Sequence, residues 1–160
     1  MHVVWFKRDL RVRDHAPLAL AAARGPVLPL YVYEPELLES PEWNPAHSVF
    51  VDEGLRELEA RLAEIGLSMT YRVGRLPDVL EALHREKALT ALYSHRETGN
   101  AITFARDRRV REWCAARGVP WIQRNQNGVT RCLATRDGFA GRWERRMRKP
   151  LVPTPARAEA

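Results

Sequence analysis

No glycine-rich phosphate loop is present in this chain: no G-x-G-x-x-G follows an apolar run, and no Walker A pattern appears. No serine stands in a nucleophile-elbow context. The five histidines (His2, His15, His47, His84, His95) show no i, i+4 pair of the kind that holds zinc on a helix. These gaps leave no visible hydrolytic or metal apparatus, and no metal is expected. Cysteine is scarce. Cys114 and Cys132 are neither at metal spacing nor numerous enough for a disulfide framework, so a reducing cytoplasm is the expected compartment. No apolar run approaches the ~20 residues that span a bilayer, and charge from Lys7 onward interrupts any signal peptide, so no membrane partner is expected.

What is present is the composition of one globular domain. The 160 residues are 45% hydrophobic and 29% charged, enough to bury a real core. The net charge of +6 is uneven: from Asn125 onward eight basic residues face three acidic ones, leaving the body nearly neutral and the tail basic. A polyanion or an acidic neighbouring domain would meet the tail.

Five short β-branched or aromatic runs read as buried strands: "HVVWF" (2–6), "VLPLYVYE" (27–34), "SMTYRV" (68–73), "LTALYSH" (89–95) and "VPWIQR" (119–124). Helical patterns lie between them. Asp14 is placed to cap an Ala/Leu-rich helix with Pro17 in its first turn and Gly25 at its end. Val51, Leu55, Leu58, Leu62 and Ile65 repeat at helical spacing up to Gly66. "LPDVLEALHRE" gives a third helix, and Asn100 to Arg117 a fourth. Strands alternating with helices imply an α/β fold, a doubly wound five-stranded parallel sheet with helices on both faces. Under a Rossmann-like order 3-2-1-4-5, the loops after the first and fourth strands flank the point where the winding reverses, where such sheets collect ligands.

Those two loops carry the candidate site. In "KRDLRVRD", Arg8 and Arg11 offer planar donors to a polar or anionic ligand. The competing structural reading pairs Arg8, Asp9, Arg11 and Asp14 with one another and with helix ends. In "SHRETGN", Glu97 would supply an acceptor opposite the arginines, or the loop is a turn at Gly99 with Asn100 capping the next helix. The stretch "FAGRWERRMRK" forms a basic C-terminal helix with Phe139, Trp143 and Met147 on one side, a seam for the body or a neighbouring domain. Arg142, Arg145 and Arg146 around it are candidates for nucleic-acid or interdomain contact. "PLVPTPARAEA" reads as a linker or frayed end.

"VVWFKRDLRVRDHAPL", "PVLPLYVYEPELL", "SHRETGN…FARDRRVREWCAARGVPW" and "QNGVTR…RDGFAGRWERRM", in that order, resemble the amino-terminal α/β domain of the DNA photolyase and cryptochrome family. The resemblance covers nearly the whole chain. It implies a photolyase-type α/β domain at 1–130 and, at 131–160, a basic helix and linker toward a helical FAD-binding domain that lies beyond these residues. It implies a parent protein that splits pyrimidine dimers in damaged DNA by light through its FAD, or one that signals in blue light, and a chain that is inactive by itself. The α/β domain of such proteins commonly holds an antenna chromophore. The candidates carried over for it are Arg8, Asp9, Leu10 and Arg11, with His95 and Glu97 as weaker ones. Folate-binding members place an Asn-Glu pair where this chain has Ile102 and Thr103; the resemblance therefore favours a deazaflavin or flavin, or an empty cleft. Two alternatives stay open: a stand-alone nucleotide-binding, stress-type α/β module, and a non-catalytic interaction domain docking through its basic tail.

Overall fold

A computed structural model describes residues 1–129 and 135–160. Five strands, β1 (His2–Phe6), β2 (Val27–Tyr33), β3 (Thr70–Val73), β4 (Ala91–His95) and β5 (Trp121–Arg124), form one sheet in the order β3-β2-β1-β4-β5. Every neighbouring pair is parallel, with His2 beside both Val27 and Ala91. The winding therefore reverses between β1 and β4, as the sequence pattern predicts.

Side chains alternate across a strand, so β1 feeds two cores. Val4 and Phe6 pack with Leu18, Leu55, Leu58 and Leu62, from helices α1 (Ala16–Ala22) and α3 (Pro45–Glu64). Val3 and Trp5 pack with Leu76, Leu80, Leu83 and Val110, from α4 (Leu76–Lys87) and α5 (Ala101–Arg117). A single turn, α2 (Pro35–Leu38), precedes α3, and α6 (Phe139–Met147) follows β5. Cys114 lies in the second core, where burial pushes its thiol up to about 11; Cys132 lies outside the described residues. Among the described residues no helix is long and apolar enough to cross a membrane.

Three local expectations change. The cap of α1 is His15, whose ring accepts from the Leu18 N–H, while Asp14 sits at φ 50° and accepts from the Val152 N–H. Helix α3 starts at Pro45, six residues before its apolar repeat at Val51, because Asn44 and His47 cap it reciprocally. The chain after Pro150 is docked rather than frayed. Ala158 is buried and donates to the Ile65 carbonyl, and Val27 donates to the Glu159 carbonyl. Gly66, at φ 86°, lets the Ala158 carbonyl approach where a Cβ would crowd it. The 158–159 end of this strap lies at the amino-terminal end of the sheet, while its Val152 end is held by Asp14 in the loop that follows β1.

Candidate functional site

At the carboxyl ends of β1 and β2 lies a cavity of about 400 Å³, within the range of small-molecule sites. The ends of the strands supply Phe6 and Tyr31, the α2–α3 segment supplies Trp43 and Phe50, and the β4–α5 loop and α5 supply Glu97 and Arg106. Aromatic walls with a few charged groups suit a flat, largely apolar ligand with a polar edge.

The candidates from the first loop separate by direction. Arg8 and Leu10 line the cavity; Asp9 and Arg11 do not. Arg8 is at the rim, its side chain 60% exposed and 3.1 Å from Glu97. Arg11 donates instead to the carbonyls of Arg13 and Asp14 and to Gln126 Oε1, fixing the loop. Of the fourth-strand candidates, Glu97 lines the cavity and His95 does not.

Asp9 and His95 belong to a buried cluster behind the loop. One oxygen of Asp9 accepts from His15 Nε2 at 2.9 Å and from His95 Nδ1 at 2.6 Å, while the other accepts from the Lys7 N–H at 2.8 Å. Burial works to raise the Asp9 pKa, but the hydrogen bonds from His15 and His95 hold it well below 3.8. Burial lowers the pKa of His15, against the pull of Asp9, and keeps it neutral. Asp9, His15 and His95 are close enough to be considered as metal ligands. Their protonation argues otherwise. His15 Nδ1 already accepts from the Leu18 N–H at 3.1 Å, so the ring proton sits on Nε2 and leaves no lone pair there for an ion. The trio is a hydrogen-bonded brace.

Charge inside the cavity centres on Arg106, a buried side chain that the sequence reading passed over. Its guanidinium bonds Glu34 at 2.8 Å, Asp107 at 2.9 Å, and Glu97, which outweighs the cost of burial and raises its pKa. Lys7 was missed too. Its side chain is only 5% exposed, and its Nζ lies 3.9 Å from Glu97 and 4.2 Å from the Trp5 ring centroid. Glu42, bonded to Asn100, ties the α2–α3 segment to the start of α5. Asn100 caps α5 as expected, accepting from the Thr103 N–H. The signal for Arg106 was present in "FARDRR", but a helix so rich in arginine reads as solvated until its buried face is known.

The tail arginines lie outside the cavity lining. Arg142 and Arg146 donate to the carbonyls of Asp137 and Asn125, while Arg145 is exposed. The expected apolar seam is half closed. A Cβ on Gly128 would collide with Trp143 and Met147, yet Phe139, Trp143 and Met147 stay 39%, 46% and 46% exposed.

Residues 2–148 match the DNA photolyase family. Cryptochrome-1 of Arabidopsis thaliana is 26% identical over 167 residues, covering 94% of this chain and 23% of that protein. The cryptochrome of Synechocystis sp. superposes with a TM-score of 0.82 at 18% identity, over 99% of this chain and 36% of that one. The photolyase of the archaeon Sulfolobus tokodaii, solved with two FAD molecules and implicating a novel light-harvesting cofactor, gives 0.76 at 19% identity, over 99% and 38%. The chain thus spans about a quarter of the length of cryptochrome-1. Proteins of this family bind flavin and antenna chromophores, and join this domain to a FAD-binding helical domain. The chain belongs to the DNA photolyase family and corresponds to the amino-terminal α/β domain of its members.

Proposed function

We propose that this chain is the antenna-chromophore domain of a photolyase- or cryptochrome-type protein. The observation that carries the reading is the aromatic-walled cavity at the carboxyl ends of β1 and β2, beside the switch point, with Arg8 and Glu97, 3.1 Å apart, both in its lining. Its role is to hold a flat ring non-covalently and pass excitation to the FAD of a helical domain. That domain then carries out light-driven splitting of pyrimidine dimers in damaged DNA, or blue-light signalling.

Of the site residues named from the sequence, Arg8, Leu10 and Glu97 contact the ring, whereas Asp9, Arg11 and His95 position the loops that hold it. A deazaflavin or a flavin is the ligand; folate is disfavoured. Thr103 spends its hydroxyl on the Asn100 carbonyl, and neither it nor Ile102 lines the cavity. Residues 1–130 form the chromophore-binding unit, and residues 131–160 the basic helix and linker, of which the helix faces the helical domain and the 158–159 end docks back on the α/β unit. The half-exposed Phe139, Trp143 and Met147, with Arg145 beside them, support that orientation.

The test is titration of the purified chain with riboflavin and 5-deazariboflavin, followed by absorbance and fluorescence. One ring bound per chain, with a shifted visible band, is the expected result. Failure to bind either ring overturns the reading.

A further inference from the structure

The cavity's charged groups are unequally served. Arg106 has three carboxylate partners, Arg8 lies 3.1 Å from Glu97, and Glu42 is bonded to Asn100. Lys7 differs: the residue lines the same cavity, while its Nζ is buried and has no hydrogen-bond partner among the described residues. Glu97 stands 3.9 Å away and is already engaged by Arg106 and Arg8. A buried ammonium without an acceptor is costly, so the missing acceptor is expected from whatever fills the chamber.

The surroundings decide its chemistry. Glu34, Glu42 and Glu97 line the same space, and a phosphate or carboxylate placed among them would be repelled. An uncharged carbonyl oxygen accepts from an ammonium without that repulsion. Trp5 and Phe6 flank Lys7 along the chain and also line the cavity, so a flat ring lodged there would lie against aromatic surface beside Lys7.

We infer that Lys7 is the orienting residue of the cavity, donating to a ring carbonyl oxygen of a dione-edged heterocycle and setting which edge of that ring points inward. This rests on the ring-binding reading above and adds to it the ligand's orientation and its selectivity for a carbonyl edge. Any phosphate or sugar tail then points toward the rim at Arg8.

The experiment compares wild type, Lys7→Met and Lys7→Arg with three probes: riboflavin and 5-deazariboflavin, which carry the dione edge, and phenazine, a flat tricycle without oxygen. Methionine has similar length, and Glu97 keeps Arg106, so the fold is retained. The expected result is a ~10- to 100-fold loss of affinity for the dione rings in Lys7→Met, with partial rescue in Lys7→Arg and no change for phenazine. Equal riboflavin affinity in wild type and Lys7→Met overturns the inference while leaving ring binding intact. No binding of any probe to wild type overturns both. Independently of the variants, the Raman carbonyl band of riboflavin bound to wild type should move below its position in an aprotic solvent; an unmoved band overturns the inference.

Discussion

Lys7 and Asp9 stand two residues apart in one loop, and the structure treats their charges in opposite ways. The Asp9 carboxylate is sealed behind the loop and accepts from three donors, two histidine rings and the Lys7 backbone. The Lys7 ammonium is also buried, but beside the cavity, and has no hydrogen-bond partner among the described residues. A buried charge whose partners are all internal braces the fold, whereas one left short of partners marks where something else must arrive. The cavity and the brace share a loop but differ in this respect, and four measurements sharpen or break the contrast.

The largest effect is expected at the brace. Asp9→Ala leaves His15, His95 and the Lys7 N–H without an acceptor and should cost roughly 3–5 kcal/mol in urea unfolding. A loss below ~1 kcal/mol would mean that the trio is ornamental. Next comes the far end of the sheet. Ala158→Asp puts a carboxylate at a position 7% exposed, between the ends of β2 and α3, and should cost about 2–3 kcal/mol. Riboflavin affinity should not change. A parallel loss of binding would show that the strap and the cavity are one unit.

A smaller effect follows from pH. The pKa of His15 is lowered from 6.5 by burial, so near and below 6.5 the unfolded chain takes up the proton more readily than the folded one. The contribution of neutral His15 is complete above pH 6.5 and declines as pH falls through that value. Asp9 is held well below 3.8, so its contribution is present above 3.8 and is lost only at more acid pH. Urea unfolding at pH 7.5 and 5.5 should show the first decline. His15→Asn, which can still cap α1, should flatten it; an unchanged slope would place the titration elsewhere.

The smallest effect on stability separates two arginines. Arg8→Ala should move the unfolding free energy by no more than ~0.5 kcal/mol, since that side chain is 60% exposed, yet weaken riboflavin binding by ~3- to 10-fold. Arg11→Ala should leave binding as it is, because Arg11 is spent on the loop's own carbonyls. Equal binding losses from both would restore the arginine pair suggested by the sequence.

Much of this architecture could be read from the chain. The five apolar runs, their spacing and the composition between them led to a doubly wound parallel sheet, because parallel crossovers leave few alternatives, and the assumed Rossmann-like order is the one observed. Asn100 as a cap and the β1 and β4 loops as rims followed from position. Side-chain direction did not. Asp9 and Arg8 are neighbours in sequence, and only packing shows which of them turns inward. His95 ends β4 as its strand run suggested, but it is buried against Asp9 rather than turned toward a ligand. The α2–α3 wall was hidden for another reason. The cap of α3 pairs Asn44 with His47 rather than with the usual Glu or Gln, so in sequence the helix is legible only from Val51, and Phe50 stays unassigned. The docked strap was invisible because prolines and alanines signal an exit, while its own anchoring groups are backbone N–H and carbonyl groups that no residue type announces.

Trp5 carries one further consequence. Its ring lies 4.2 Å from the Lys7 ammonium and 4.6 Å from the Arg106 guanidinium, so two positive charges bear on one indole. Of the five tryptophans it is the one that is both wholly buried and part of the cavity lining. A guest that draws the Lys7 ammonium toward itself alters the field at that indole, so the protein holds an optical gauge of its own occupancy. Ultraviolet emission from Trp5, isolated by replacing the other four tryptophans with phenylalanine, would report arrival without any colour in the guest.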